Sequence, residues 1–247
     1  MADANSEANL DAMMGGAVKL VQSAKGYRAG MDAALLAAAC DATGGEIVLE
    51  AGCGAGAVLL MAAVRSPEAK FVGIERDPEA LALAAQNVAL NELAKRIEVE
   101  AGDVARLAAR GDYDLALANP PFFDDERALR GPAPERRGAW ITAEGLEAWT
   151  EALTKAVREG GRVIVIHRAD RLADLLGLLG RRSGSFQIRP IHPFADAPAG
   201  RVIVRATRAG KAPLKLLPPL ILHPRKGGKH TAEAEAILRG EARLNWA

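Results

Sequence analysis

The sequence predicts an α/β fold, a doubly wound and mostly parallel sheet with an antiparallel C-terminal edge. Three observations lead there. From residue 46 onward, short apolar runs alternate with helical stretches, the rhythm of a parallel sheet buried between helices. The helix starts are marked, most clearly by Asp77 as an N-cap with Pro78 at the first helical position. Near the end, two β-like runs at 185–191 and 201–208 are joined by a turn-rich loop and pair as an antiparallel hairpin.

Taken in order, the first ten residues are polar and read as frayed, with 1–12 flexible. An amphipathic, alanine-rich helix runs from Asp32 to Cys40, after a loop bearing Gly26 and Gly30, and Met13 and Met14 read as helix packing. The runs 46–51, 70–75, 96–101, 113–118 and 161–167 read as short buried strands, with helices at about 55–65, 78–91 and 143–158 between them. A helix at about 170–180 leads to the hairpin. A proline-punctuated apolar segment (211–223) and a short helix (231–239) follow. No repeat and no linker interrupts the chain, so 1–247 reads as one domain.

Composition narrows the function. Hydrophobic residues make up 49% of the 247, ample for one core. The net charge of +1 excludes a globally basic nucleic-acid binder but not a local basic patch. The two cysteines, Cys40 and Cys53, form no C-x-x-C and no secretory framework. Residues 1–12 lack the basic-then-apolar pattern of a signal sequence. No apolar stretch approaches the roughly 20 residues of a membrane span. The expectation is a soluble cytoplasmic protein without membrane contact. The four histidines, 167, 192, 223 and 230, lack ligand spacing, so no metal site is expected. Cys53 reads as a small residue beside a ligand loop.

The most informative segment is Asn119-Pro120-Pro121-Phe122, directly behind the apolar run 114–118. Proline cannot donate to a sheet ladder, so the strand stops there, and the doubled proline stiffens the backbone just past it. A fixed carboxamide, a carbonyl and an aromatic ring then stand at a strand's carboxyl end. They suit a planar amine or amide held flat while its nitrogen reacts; the alternative is a proline-rich turn.

Ligand-loop features precede it. The first strand of the alternation runs into Glu50-Ala51-Gly52-Cys53-Gly54-Ala55-Gly56, where glycine lets the backbone turn tightly and approach a ligand. The segment also fits G-x-G-x-x-A with Ala57 last, so a dinucleotide fold competes. Glu75 ends the second strand 23 residues after Gly52, the distance at which an acid meets a ribose diol, unless it is only a solvated acid. Asp103 closes the third strand, either to accept from an adenine amino group or to cap a helix. Glu50, two residues before the first glycine, suits an amino-acid-bearing cofactor such as S-adenosylmethionine; a pyrophosphate gains nothing from it.

Carboxylates after three successive strands, then Asn-Pro-Pro-Phe after the fourth, resemble the class I S-adenosylmethionine-dependent methyltransferases. Gly26-Tyr27-Arg28-Ala29-Gly30-Met31-Asp32, Pro219 to His223, and Thr231 through Gly240 resemble the tRNA1(Val) adenine-37 N6-methyltransferase family, over about 15–240. One departure is His230, where relatives often carry Tyr. The resemblance implies a Rossmann-like seven-stranded sheet of order 3-2-1-4-5-7-6, S-adenosylmethionine as cofactor, and RNA, most specifically tRNA, as partner. The cofactor-binding set is then Glu50, Gly52, Gly54, Gly56, Glu75, Asp103 and Asn119. The Asn119 side-chain oxygen and the Pro120 carbonyl are the expected acceptors from the reacting amine. Pro121 and Phe122 contact the base, with Phe122 stacked on it.

Arg225, Lys226 and Lys229 lie in 223–230, a stretch without an acid, and are the candidate phosphate contacts, which Arg181 and Arg182 extend. The charged loop 124–138 is either a substrate lid or a solvated loop. His167 is a possible substrate contact or a strand cap. Three other functions compete: a glutamine N5-methyltransferase acting on release factors, a small-substrate or rRNA amino methyltransferase, and a non-catalytic S-adenosylmethionine-binding module. The release-factor enzymes usually carry Tyr after the prolines and a helical N-terminal domain of about 80 residues, for which this chain has no room ahead of its first strand.

Overall fold

The computed structural model describes residues 8–23, 28–107, 111–121 and 145–246. The chain opens with β1 (Ala8–Met13) and β2 (Val18–Ser23), paired antiparallel. A tight turn at Met14–Gly16 joins them. This corrects the helical setting of Met13 and Met14; of the stretch 1–12 expected to be flexible, residues 8–12 lie in β1 and 1–7 lie outside the described residues. Met14 itself holds a positive φ of 52° and the two glycines after it are also left-handed, which excludes a helix. β2 turns Val18, Leu20 and Gln22 inward and so anchors the hairpin.

The rest is one nine-stranded sheet. Its elements are α1 (Met31–Ala39), β3 (Ile47–Ala51), α2 (Ala57–Arg65), β4 (Lys70–Glu75), α3 (Pro78–Leu90), β5 (Ile97–Ala101) and β6 (Tyr113–Ala118). After them come α4 (Gly145–Ala156), β7 (Val157–Arg168), α5 (Leu172–Leu179), β8 (Ser183–His192) and β9 (Arg201–Arg208). β10 (Lys215–Leu216), β11 (Leu220–Ile221) and α6 (Ala232–Leu238) complete the chain. The central order β5-β4-β3-β6-β7-β9-β8 reproduces the expected 3-2-1-4-5-7-6. β9 runs antiparallel to both β7 and β8. Two strands beyond the expected seven, β10 and β11, add two residues each to β8. They come from the proline-punctuated segment, whose pieces are too short to show a period.

Alternate residues of the central strands enter cores on opposite faces. Val48, Leu115, Leu117, Ile164 and Ile166 pack with α1, α2, α3 and α6. Leu49, Ala116, Ala118, Val163 and Val165 pack with α4 and α5. Both faces are covered, which is why these strands read as continuous apolar runs. α1 is not amphipathic as expected: Ala33 to Ala39 are all buried, enclosed by α2, α6, β7 and the 242–246 segment. That segment is tied down by Leu244 N–H donating to the Ala38 carbonyl (3.0 Å) and Trp246 Nε1 donating to the Ala39 carbonyl (2.9 Å).

α3 binds β2 through an arrangement that no periodicity reveals. Asn87 and Asn91, four residues apart, share a face. Asn87 accepts from Val21 N–H (2.7 Å) and donates to the carbonyls of Val21 and Ala55 (2.9 Å each). Asn91 accepts from Lys19 N–H (2.9 Å) and donates to its carbonyl (2.6 Å). Two carboxamides thus stand in for a neighbouring strand. No helix among the described residues is long and apolar enough to cross a membrane.

Candidate active site

Parallel register gathers the candidate residues on one rim. Ala51 pairs with Ile74 on one side and with Ala118 on the other, and Glu75 pairs with Ala101. Gly52, Glu75, Asp103 and Asn119 therefore stand at neighbouring strand ends. β3 lies between β4 and β6 at the point where the chain reverses its winding, and in open α/β sheets ligands bind at the carboxyl ends there. Gly52 and Asn119 follow partnered residues of adjacent strands, about 4.8 Å apart.

The glycine loop is held by hydrogen bonds and by shape. Gly52 N–H and Cys53 N–H both donate to the Ile74 carbonyl (2.8 and 3.0 Å), and Gly56 N–H to the Cys53 carbonyl (2.9 Å). Gly52, Gly54 and Gly56 all hold positive φ. Gly52 is doubly constrained, because a Cβ there would lie 2.5 Å from the ring of Trp149. Trp149, 9% exposed on α4, packs beneath the loop. Reasoning from sequence missed it; the only signal was an aromatic in a helix that faces the sheet. A Cβ on Gly54 would meet nothing within 4 Å, so the loop's outer side is open to a ligand there.

The acids divide their work. Glu75 Oε2 accepts from Gly54 N–H (2.8 Å), while its Oε1 accepts from Arg76 N–H and Asp77 N–H (2.9 Å each). It joins the loop to the start of α3, and of the four lone-pair positions of the carboxylate one remains open, on Oε2. Asp103 Oδ1 accepts from Ala105 N–H (3.1 Å) and caps a 3-10 turn. Glu50 points into the core, 3% exposed, and its Oε2 accepts from Leu59 N–H (3.0 Å) in the first turn of α2. α2 has no side-chain cap at Gly56, so Glu50 serves the helix start from the adjoining strand. Burial pushes its carboxyl well above the usual carboxylate range; the Leu59 bond opposes this and Glu75 adds to it.

Asn119 is half-buried, Pro120 buried and Pro121 half-buried at the end of β6. Phe122 and the loop 124–138 lie outside the described residues. Cys53 is 5% exposed, and burial, then Glu50, then Glu75 push its thiol up, so it is a packing residue. Burial likewise pushes Cys40 up to about 12. His167 is buried opposite Val202 in the β7–β9 ladder. An open depression lined by Asp41, Arg205, Arg243 and Trp246 lies towards the opposite edge and meets none of the rim residues.

Asp32, from the upstream glycine-bearing motif, accepts from Arg201 Nε (3.0 Å). Arg201 starts β9 beside Arg168, at the end of β7. The motif's other charged residue, Arg28, pairs with Asp11 of β1 (2.5 Å). Arg225, Lys226 and Lys229 are exposed beyond β11, on the same rim but further along the sheet.

Two consequences can be measured. Gly52→Ala is expected to lower stability by about 2–4 kcal/mol in urea unfolding. Made in a Trp149→Leu background and compared with that variant, Gly52→Ala should cost only about 1 kcal/mol, the left-handed strain that remains once the steric clash is gone. Glu50 binds its proton more tightly folded than unfolded, so its contribution is full below the unfolded value near 4.3 and is lost as pH rises towards the raised native one. Glu50→Gln, a permanent stand-in for the protonated acid, should match the natural protein near pH 4. Its Tm advantage should then widen from pH 5 to 8 in melts of the cofactor-free protein.

Known proteins resemble this arrangement. Residues 23–131 match the methyltransferase small domain family. The tRNA1(Val) (adenine(37)-N6)-methyltransferase of Yersinia pestis (strain Pestoides F) is 37% identical over 144 residues, 56% of this chain and 57% of that protein. The chain thus spans little more than half the length of the curated relatives it matches. A crystal structure from Agrobacterium tumefaciens, titled a predicted O-methyltransferase, superposes with a TM-score of 0.72 at 26% identity, covering 86% of this chain and 98% of that one. An S-adenosylmethionine-dependent O-methyltransferase of Thermotoga maritima shares the fold, with a TM-score of 0.55 at 16% identity over 76% and 69% of the two chains. The match over residues 23–131 is thus to the methyltransferase small domain family, and the chain has the fold of the structurally characterised methyltransferases it superposes on.

Proposed function

We propose that this protein is an S-adenosylmethionine-dependent N-methyltransferase whose acceptor is the N6 amine of an adenine in tRNA. The observation that carries the reading is the pairing of Ala51 with Ala118. It sets the glycine loop and Asn119 side by side, so a methyl donor lying on one faces an amine held by the other. The nature of the acceptor follows from the acceptor groups. The Asn119 side-chain oxygen and the Pro120 carbonyl are two hydrogen-bond acceptors in sequence, matched to the two hydrogens of an NH2 group. A hydroxyl has only one hydrogen to offer, which favours nitrogen over the oxygen named for the structural relatives. The adenine and the tRNA come from the name of the Yersinia relative and from the upstream and C-terminal motifs.

In this reading Glu75 takes the ribose diol of the cofactor and Asp103 its adenine amino group. Gly52, Gly54 and Gly56 allow close approach, while Glu50 keeps the start of α2 in place beneath them. The bound cofactor supplies a methyl group on a sulfonium sulfur. An N6 amine is a weak nucleophile because its lone pair is delocalised into the ring. Asn119 and Pro120, accepting both hydrogens, favour the positive charge that develops as nitrogen attacks. Pro121 and Phe122 hold the base flat after it leaves its stack. The remaining acceleration comes from holding the reacting atoms in line. Arg225, Lys226 and Lys229 contact the RNA strand, the two lysines at its phosphates.

Incubation with methyl-labelled cofactor and separated cellular RNA and protein tests the reading directly. Label recovered as N6-methyladenosine in tRNA supports it; label in release-factor glutamine, or in oxygen-linked products, overturns it. Asn119→Ala should reduce turnover by a thousandfold or more while calorimetry finds cofactor affinity lowered by far less, about tenfold at most; normal turnover would remove the mechanism. Glu75→Ala should weaken cofactor binding at least tenfold, and unaltered affinity would remove the ribose assignment.

A further inference from the structure

Beyond the methyl-transfer centre, the same rim carries a column of flat side chains. Strand directions place it there. β9 is antiparallel to both β7 and β8, so β8 ends on the rim where β6 and β7 end. β11 is parallel to β8, with Ile221 opposite His192. The loops after these strands, through Phe194 and through His223, therefore emerge on the side of Asn119. From the end of β6, β7 and β9 are crossed to reach β8, three spacings or about 14 Å.

Four planar groups meet in a row there, with Phe194 and His223 tilted by 50° to each other. The Arg225 guanidinium lies 4.0 Å from the ring centroid of Phe194. Phe194 meets His223 at 5.7 Å, and His223 stacks on His230 at 5.1 Å and 29°. The column is fixed by its backbone: Leu222 N–H donates to the His192 carbonyl and His223 N–H to the Pro193 carbonyl (2.9 Å each). His223 Nδ1 lies 2.6 Å from the Lys229 carbonyl. Asp196 Oδ1 accepts from Arg225 Nε and Nη2 along one edge (3.0 and 2.8 Å), which fixes the plane of the guanidinium and leaves its outer face clear of that bond. The Arg225 side chain is still 59% exposed. A surface ion pair of this kind contributes little to stability, so the ion pair does not explain an exposed arginine laid flat on a half-buried aromatic. Lys226 and Lys229 stand exposed beside the column.

We propose that this column is a stacking platform for an unpaired base of the RNA strand flanking the target adenine. The base continues the stack on the outer face of Arg225, while Lys226 and Lys229 take the adjoining phosphates. The inference rests on the RNA reading above and assigns a second contact to that substrate. Unpaired bases are recognised by stacking on aromatic rings and on guanidinium planes, and such stacking tolerates any base. The platform therefore grips the strand while the methyl-transfer centre selects the nucleotide.

The test compares tRNA binding by the full chain and by Arg225→Ala, Arg225→Lys and Lys226→Ala/Lys229→Ala at several salt concentrations, with melts checking the fold. Both Arg225 variants should bind about tenfold more weakly with the salt slope nearly unchanged in Arg225→Lys, because lysine restores charge but not the plane. The double lysine variant should flatten the salt slope. All should bind the cofactor normally. If the natural protein binds and methylates tRNA but Arg225→Lys binds as tightly, the site reads charge alone and the platform is wrong. If the natural protein binds no RNA, the RNA reading falls and the platform falls with it.

Discussion

The constraint on which the rest depends is the common direction of β5, β4, β3, β6 and β7. Five parallel strands end on one side, and each must return through a connection across a face. That requirement covers both faces with helices and sends every loop that leaves a parallel strand to one rim. The loops that carry glycines, acids and the asparagine have nowhere else to go. Since the winding reverses at β3, the loops after β3 and β6 turn to opposite faces and leave a cleft between them.

Within that cleft the chain uses buried polar groups to hold backbone rather than to meet solvent. One carboxylate, Glu75, accepts from three amides drawn from two loops. Glu50 services a helix that its own strand leads into, and Asn87 holds β2, α3 and the glycine loop in a single network. A loop so tied has its shape before any ligand arrives, which lowers the ordering entropy that binding must overcome. The same economy explains why Trp149 matters: it fills the space left by a missing side chain at Gly52.

Much of this was legible in the sequence, for reasons that can be stated. The parallel strands announce themselves because burial on both faces makes them short and apolar. Asp77-Pro78 announces α3 because capping is local; its side chain does accept from Glu79 N–H (2.9 Å). The rim residues follow from strand order, since a residue just past a parallel strand has a known address. The hidden parts depend on contacts distant in the chain. The β1–β2 hairpin has only one buried side and few apolar residues. α1 looks half-exposed until the segment near 244 is seen to cover it. The row of Phe194, His223, Arg225 and His230 joins residues up to 36 positions apart, and no spacing rule links them.

The cover over α1 has a consequence for how the chain comes to be folded. The carbonyls of Ala38 and Ala39 at its end are met by Leu244 and Trp246, which lie 206 and 207 positions later. On the ribosome, at about 5–20 residues per second, those partners emerge ten or more seconds after the helix they finish. Through that interval an alanine-leucine helix has no lid. Native docking of its exposed side must wait for residues 244–246, so this helix is finished by residues made some two hundred positions after it.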